Sequence, residues 1–462
     1  MKKFDCFSPT DFRYSVEELK DYLTEDAFIK YKTIVEVALI KKLAEYGICP
    51  KDIIDEVEKA SEKIYTKEVY QKEEELKHDI RALVEIIKSK VSPKAKLYIH
   101  LTATSYDIIN IANILRYKNA FCDIILPDMV KLECSLIEMA RNEKHTLQMG
   151  RTHGQHAEPL TFGFFIAQYV NRWGNMILKV KNAINNLVGK FSGSIGAYNA
   201  LSLFLDNPEK FEYDLLESLG LKSTKISTQI LPPEPLINLI HTVVLGWGVL
   251  ANYADDMRNL QRTEIGEVYE SFDVKQIGSS TMPQKRNPIN FENIKSSWKK
   301  FMPTMITLYL NQIIEHQGDL TNSLSSRYLP ELFVIFDSSV KRAINVTKNL
   351  QINRDKMKKN FVQSADKIIA EPLQILLSQS GYSNAYEKVR ELTIVSNQET
   401  KSLIKLIFED KTIKPYLKKF NENHIKLILH PENYIGIAPK KTTEICDLWE
   451  RLIINIEDDV SE

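Results

Sequence analysis

Helix-breaking residues are scarce in this chain. It has 16 glycines in 462 residues, and long stretches carry no breaker at all. That disfavours an all-β fold, which needs turns every few residues. Cysteine is also sparse. The five, Cys6, Cys49, Cys122, Cys134 and Cys446, are scattered, odd in number and without metal-finger spacing. They exclude a disulfide framework and read as free thiols in a reducing compartment. Charge of one sign is not in excess: 61 basic residues balance 61 acidic ones. A nucleic-acid partner, which calls for a basic stripe, is not expected. The most apolar segment, Leu236 to Ala251, is interrupted by Asn238 and His241 and falls short of the ~20 residues of a membrane span. Met1 to Tyr14 contains Asp5, Pro9 and Asp11 and has no apolar signal region. A soluble cytoplasmic protein with no membrane partner is expected.

Helical periods fill the rest. From Phe162, apolar residues recur at Ile166, Tyr169, Trp173, Met176, Val180, Ala183 and Leu187. Steps of four and three make a heptad-like seam. Ile240, Val243, Trp247, Leu250, Ala254 and Met257 make a second. A third helix is predicted from Pro288 past Trp298, kinked at Pro303, and a fourth over Arg327 to Lys348. Short helices precede and follow, the last ones punctuated by Pro415, Pro431 and Pro439. Lys/Glu-rich faces between Asp55 and Lys77 read as solvated helix surface. No strand is predicted. The expected fold is all-α, in three helical domains at 1–107, 108–355 and 356–462. The central bundle of long helices suits assembly into a multi-subunit helical core.

The chemistry concentrates in Gly278-Ser279-Ser280-Thr281-Met282-Pro283-Gln284-Lys285-Arg286-Asn287-Pro288. Gly278 offers backbone freedom, and Pro283 and Pro288 stiffen the segment. Asn287-Pro288 reads as N-cap and N1 of the following helix. A loop that ends at a helix N-terminus beside Lys285 can hold an anion. The plainer reading is a polar surface turn.

Other polar clusters are spread along the chain. Arg13-Tyr14 lies in an N-terminal turn. In Lys77-His78-Asp79, Asp79 suits a helix start. In His100-Leu101-Thr102-Ala103-Thr104-Ser105-Tyr106-Asp107, Thr104 and Asp107 have capping-box spacing. Alternatively, Thr104 and Ser105 hold a carboxylate at a helix N-terminus. His153, His156 and Glu158 occur in Gly150-Arg151-Thr152-His153-Gly154-Gln155-His156-Ala157-Glu158-Pro159. They lack helical i,i+4 metal spacing, so a histidine proton donor is the better reading than zinc.

The loop at 278–288 resembles the G-S-S-x-M-P-x-K-x-N-P signature of the fumarase/aspartase superfamily. The string from Gly150 to Pro159 is similar to G-R-T-H-G-Q-H-A-E-P of adenylosuccinate lyases, a family within it. Segments around Arg13, His78, Thr104, Gly193-Ser194-Ile195-Gly196-Ala197-Tyr198-Asn199-Ala200 and Gln229 resemble the same family. So does Gly318-Asp319-Leu320-Thr321-Asn322-Ser323 through Arg327. The departures are Phe12 and Thr102 where glycine is usual, the proline-rich Leu231 to Pro235, and Gly318 where the family has an arginine that grips phosphate.

The resemblance implies β-elimination of fumarate from adenylosuccinate and from succinylaminoimidazole carboxamide ribotide, without metal or organic cofactor. It implies Ser279 as base and His153 as acid. Arg13, Tyr14, Lys77, His78, Asp79, His100, Thr104, Ser105, Thr152, Gln229, Ser280, Lys285, Asn287, Glu292, Asn293, Ser323 and Arg327 would bind substrate. Glu292 serves either as a charge partner for a histidine, such as His78, or as a solvated carboxylate. A homotetramer with shared active sites is implied. Gly318 leaves open a related aminosuccinate lyase acting on an amine without phosphate. The remaining alternative is a structural helical oligomer, against which Ser279, Lys285 and His153 argue.

Overall fold

Why the chain is helical is visible in its burial. The computed structural model describes residues 7–273 and 275–461, so Cys6 lies outside the described residues. All eight apolar positions of the first seam, Phe162 to Leu187, are buried. Seven of them lie on one helix, Phe162–Asn185, and Leu187 follows its end. The second seam is the buried face of Glu234–Leu260. That helix spans 27 residues and is long and apolar enough to cross a membrane, but its apolar window is 67% buried within the protein. The segment Leu236 to Ala251 is therefore part of a longer core helix, not a short apolar run.

Prolines set helix boundaries. The helix expected from Pro288 is two helices, Ile289–Phe301 and Thr304–Leu310, with Pro303 in the break instead of a kink. Pro415 is the second residue of Lys414–Leu417 and Pro431 opens a short 3-10 turn. Pro439 likewise sits in the first turn of Ala438–Ser461, a long terminal helix where only short ones were expected. In each place the missing proline N–H is one that helix starts leave unbonded anyway. The N-terminal region also holds one long helix, Glu25–Glu45, capped by Thr24 through the Ala27 N–H.

Strands are few but real, which corrects the expectation of none. Leu147–Thr152 and Gln155–Thr161 form an antiparallel hairpin. Two further pairs of two-residue strands join Val188–Gly189 to Lys222–Ser223 and Val268–Tyr269 to Gln351–Ile352.

The chain divides into two compact units. The first comprises residues 1–130, 175–248 and 296–341. Its aromatic core includes Trp247, stacked on Phe301 and edge-on to Phe336, and Phe333 against Tyr117 and Phe121. The second comprises 131–174, 249–295 and 342–462. Tyr253 packs edge-to-face with Tyr169 and Phe291 there. A separate apolar cluster, including Leu373, Leu377, Leu403 and Ile407, fills the C-terminal helices.

Candidate active site

In the second unit, the segment 150–159 is the hairpin. His153 and Gly154 form its two-residue turn, at φ of 54° and 73°. Positive φ at both positions is the primed turn that suits strand twist. Glycine takes it freely, while a histidine there is uncommon and held by its surroundings. His153 is thereby displayed at an exposed tip, its side chain without hydrogen bond or ion pair among the described residues. Thr152 is exposed beside it. His156 and Glu158 do not converge with it on a metal. His156 Nδ1 lies 2.7 Å from Ser364 Oγ; burial and the Arg151 charge hold this imidazole below its usual range. The Glu158 carboxyl is pushed up to about 7 by its hydrogen bond to Glu371, by burial and by the Glu371 charge.

The first strand of the hairpin is anchored by a residue that no local pattern marks. Glu267 is fully buried. It accepts from both terminal nitrogens of Arg151, at 2.6 and 3.2 Å. It also accepts from Gln148 at 2.9 Å and Asn360 at 2.8 Å.

The loop at 278–288 closes on itself. Asn287 Nδ2 donates to the Gly278 carbonyl at 3.0 Å, so Asn287 is a clasp and not the N-cap. Pro288 stands at the cap position and accepts the Glu292 N–H. Glycine at 278 is a matter of space more than of backbone freedom: a Cβ there would sit 2.0 Å from the Lys285 carbonyl oxygen. Ser279 Oγ, half-buried, accepts the Met282 N–H at 3.1 Å and the Thr281 N–H at 3.4 Å. Ser280 is exposed. The Lys285 ammonium pairs with no carboxylate among the described residues. Lys285, Asn287 and Glu292 line one cavity of about 1130 Å³ with Arg258, Arg262 and Tyr269. Asn293 follows on the same helix as Glu292, half-buried.

The helix after the loop is capped from a distance. The Glu270 carboxylate accepts the N–H groups of Asn290 and Phe291, each at 2.9 Å, and the Asn290 side chain at 2.7 Å.

In the first unit, His78 is the N-cap of Asp79–Ser89, accepting the Arg81 N–H. Lys77 closes the preceding helix at φ 52°. Asp79 pairs with the buried Lys32 at 3.2 Å. His100 Nδ1 lies 2.6 Å from the buried Glu36. Burial pulls this imidazole down, but the Glu36 charge and hydrogen bond override it and leave it raised. Thr102, where glycine is usual, has φ 68°, a left-handed conformation that a β-branched residue adopts only under constraint.

Thr104 precedes Ser105–Ala120, and its N–H donates to Asp107 Oδ2 at 2.9 Å. Asp107 does more than cap. Its other oxygen meets Lys190 Nζ at 2.7 Å, both side chains fully buried. Lys190 also donates to the carbonyls of Gly193 (3.1 Å) and Gln229 (2.8 Å). One ammonium thus ties together the Thr104 helix start, the glycine-hinged turn and Gln229.

Residues 317–327 join this group. The Gln229 N–H donates to the Gln317 carbonyl at 2.9 Å. Ser323 and Arg327 begin and end a short exposed helix. Burial raises the Tyr106 phenol, with the Asp79 and Asp319 charges raising it further and the Arg327 charge opposing them. Ser8 and Thr10 hydroxyls bond Glu331, which brings the Arg13-Tyr14 turn to the helix that follows Arg327. The first unit therefore gathers polar groups from separate segments, and the second presents a histidine, an amide-bonded serine and a lysine.

A family model described as "Lyase" matches residues 8–302, and one described as "Adenylosuccinate lyase C-terminal" matches residues 315–435. The chain is 35% identical over 450 residues to an adenylosuccinate lyase of Pyrococcus abyssi, covering 96% of this chain and 98% of the relative. It is 31% identical to one of Methanocaldococcus jannaschii, covering 95% of each. Among solved structures, it is similar to a fumarate lyase from Mesorhizobium sp. BNC1, with a TM-score of 0.83 and 22% identity over 94% of this chain and 98% of that one. A 3-carboxy-cis,cis-muconate lactonizing enzyme from Pseudomonas putida gives the same TM-score and identity, over 96% and 99%. At that identity the two structures show the shared fold alone.

Proposed function

The chain belongs to the adenylosuccinate lyase family, and on that premise we propose how its residues carry out the reaction. It cleaves the C–N bond of adenylosuccinate, releasing fumarate and leaving AMP, and acts in the same way on succinylaminoimidazole carboxamide ribotide. Ser279 removes the proton from the carbon β to the nitrogen. The electron pair forms the fumarate double bond, the C–N bond breaks, and His153 protonates the departing nitrogen.

The observation that carries this reading is the pair of amides on Ser279 Oγ. A serine hydroxyl is a very weak base near neutral pH. Amide donors and a nearby cation favour its alkoxide, and Lys285 supplies a cation in the same loop. Asn287, clasped to Gly278, holds the loop in shape. Thr104, Ser105, Thr152 and Ser280 offer hydroxyls and helix-terminal amides to the succinyl carboxylates. Lys285 and Asn293 complete that end, with Glu292 in the same cavity. Arg13, Tyr14, Lys77, His78, Asp79, His100, Gln229, Ser323 and Arg327 hold the nucleotide.

The active form is a cytoplasmic homotetramer in which each active site draws residues from more than one copy. Supporting this, the two long seam helices carry Phe164, Leu178 and Leu245 exposed on faces away from the chain's own core. The testing experiment follows fumarate absorbance with adenylosuccinate as substrate. Steady release supports the reading. No release from adenylosuccinate, with release from another aminosuccinate, overturns it.

A further inference from the structure

We propose that Glu267 and Glu270 are positioning residues acting as one brace: Glu267 fixes the hairpin that presents His153, and Glu270 fixes the helix start that ends the Ser279 loop. The proposal rests on the assignment of His153 and Ser279 as acid and base. The two glutamates flank Val268–Tyr269, a strand pinned by pairing with Gln351–Ile352. Neither touches the reacting atoms in this account.

Glu267 holds the hairpin through an unusually complete set of bonds. Both oxygens are engaged: Oε1 by Arg151 and Asn360, Oε2 by Gln148 and Arg151. A two-nitrogen guanidinium grip fixes direction as well as distance. Arg151 lies two residues before His153, and Gln148 is on the same strand. The strand's register shifts between Met149 and Arg151, so its pairing alone fixes the turn less firmly. The carboxylate compensates at that point. Its backbone is held too: its N–H donates to the Leu260 carbonyl, and its carbonyl accepts the Asn353 N–H, both at 2.9 Å.

Glu270 performs the matching task for the loop. It replaces the local cap that Asn287 does not provide, bonding the Asn290 and Phe291 amides. Arg342 steadies Asn290 from the other side, donating to its Oδ1 at 2.7 Å. Gln261 links the same two parts a second time, accepting the Glu270 N–H at 3.0 Å and donating to the Arg286 carbonyl at 3.3 Å. The segment between Leu260 and Glu270 therefore sets where the base loop ends and where the acid hairpin begins. A catalytic group displaced by ~1 Å can cost about 100-fold in rate, so such a brace has kinetic consequences.

The test compares E267Q, E270Q, H153A and E267Q/H153A in the assembled enzyme, with circular dichroism as the check on folding. The brace predicts that E267Q and E270Q lower kcat about 10- to 100-fold while KM for adenylosuccinate stays within about threefold. It also predicts that E267Q costs less than about threefold more once His153 is gone, because groups acting through one another are not additive. Folded E267Q and E270Q with kcat within twofold of the parent overturn it, as does a full multiplicative loss in the double variant. If E267Q does not fold, R151K, which keeps the charge and loses the fork, takes its place under the same criteria. H153A by itself judges the acid assignment: full activity there sinks that assignment and makes the double-variant comparison void, and the brace is then judged on the kcat and KM of E267Q and E270Q alone.

Discussion

The side-chain oxygen of Gln229 stands 2.9 Å from the point where a Cβ on residue 318 would lie. Gln229 and any side chain at Gly318 therefore compete for one space. The family places a phosphate-gripping arginine at this position, so the departure is coupled to how Gln229 is held. Lys190 and Gln317 fix the Gln229 backbone, and the side chain then fills the space that glycine leaves.

Phosphate should contribute less to specificity here than a two-arginine grip gives. A charged hydrogen bond is worth ~1.5–3 kcal/mol, or about tenfold or more in affinity. The check compares kcat/KM for adenylosuccinate with that for its dephosphorylated nucleoside. The expected ratio is well below several hundred. A larger ratio means that another cation, such as Lys77 or Arg81, has taken over the role.

Lys190→Met should destabilise the protein by about 3–5 kcal/mol, since it strands the Asp107 charge in the interior. Adding Asp107→Asn should recover part of the loss by removing the stranded charge. Denaturant unfolding of both variants measures this. A single variant within about 1 kcal/mol of the parent would show that the pair is not a structural node.

Glu133 is fully buried, and neither carboxylate oxygen has a hydrogen-bond partner among the described residues. Burial raises its pKa well above the ordinary value. The folded state then keeps a proton that the unfolded chain releases, so stability falls as pH rises from the ordinary glutamate range toward the raised folded value. The slope is about 1.4 kcal/mol per pH unit for one proton. Glu133→Gln should flatten that slope and exceed the parent in stability at pH 7. Parallel stability–pH curves would contradict this.

The helical plan was legible because buried faces repeat every three to four residues, and Phe162–Asn185 obeys that rule along its whole length. The hairpin was not legible. Its burial does not alternate strictly, its register shifts, and its turn pairs a histidine with glycine instead of the usual Asn-Gly. The polar motifs marked His153 and Ser279 because local spacing carries them. Lys190, Glu267 and Glu270 left no local signal. Arg151 and Glu267 are 116 positions apart, and nothing near either one names the other.

If active sites are shared between copies, two dead chains can complement. H153A and S279A chains, each inactive, should regain a fraction of parental turnover when mixed, dissociated and reassembled. Sedimentation of the parent should give a tetramer. A fully active monomer would remove the sharing from the account.

The most direct measurement is the turnover of Ser279→Ala with substrate binding checked alongside. Loss of a general base costs about 10²–10⁴-fold. The account predicts a loss in that range, with the protein folded and adenylosuccinate still bound. More than a third of parental turnover would contradict it and move the base elsewhere in the loop, most simply to Ser280.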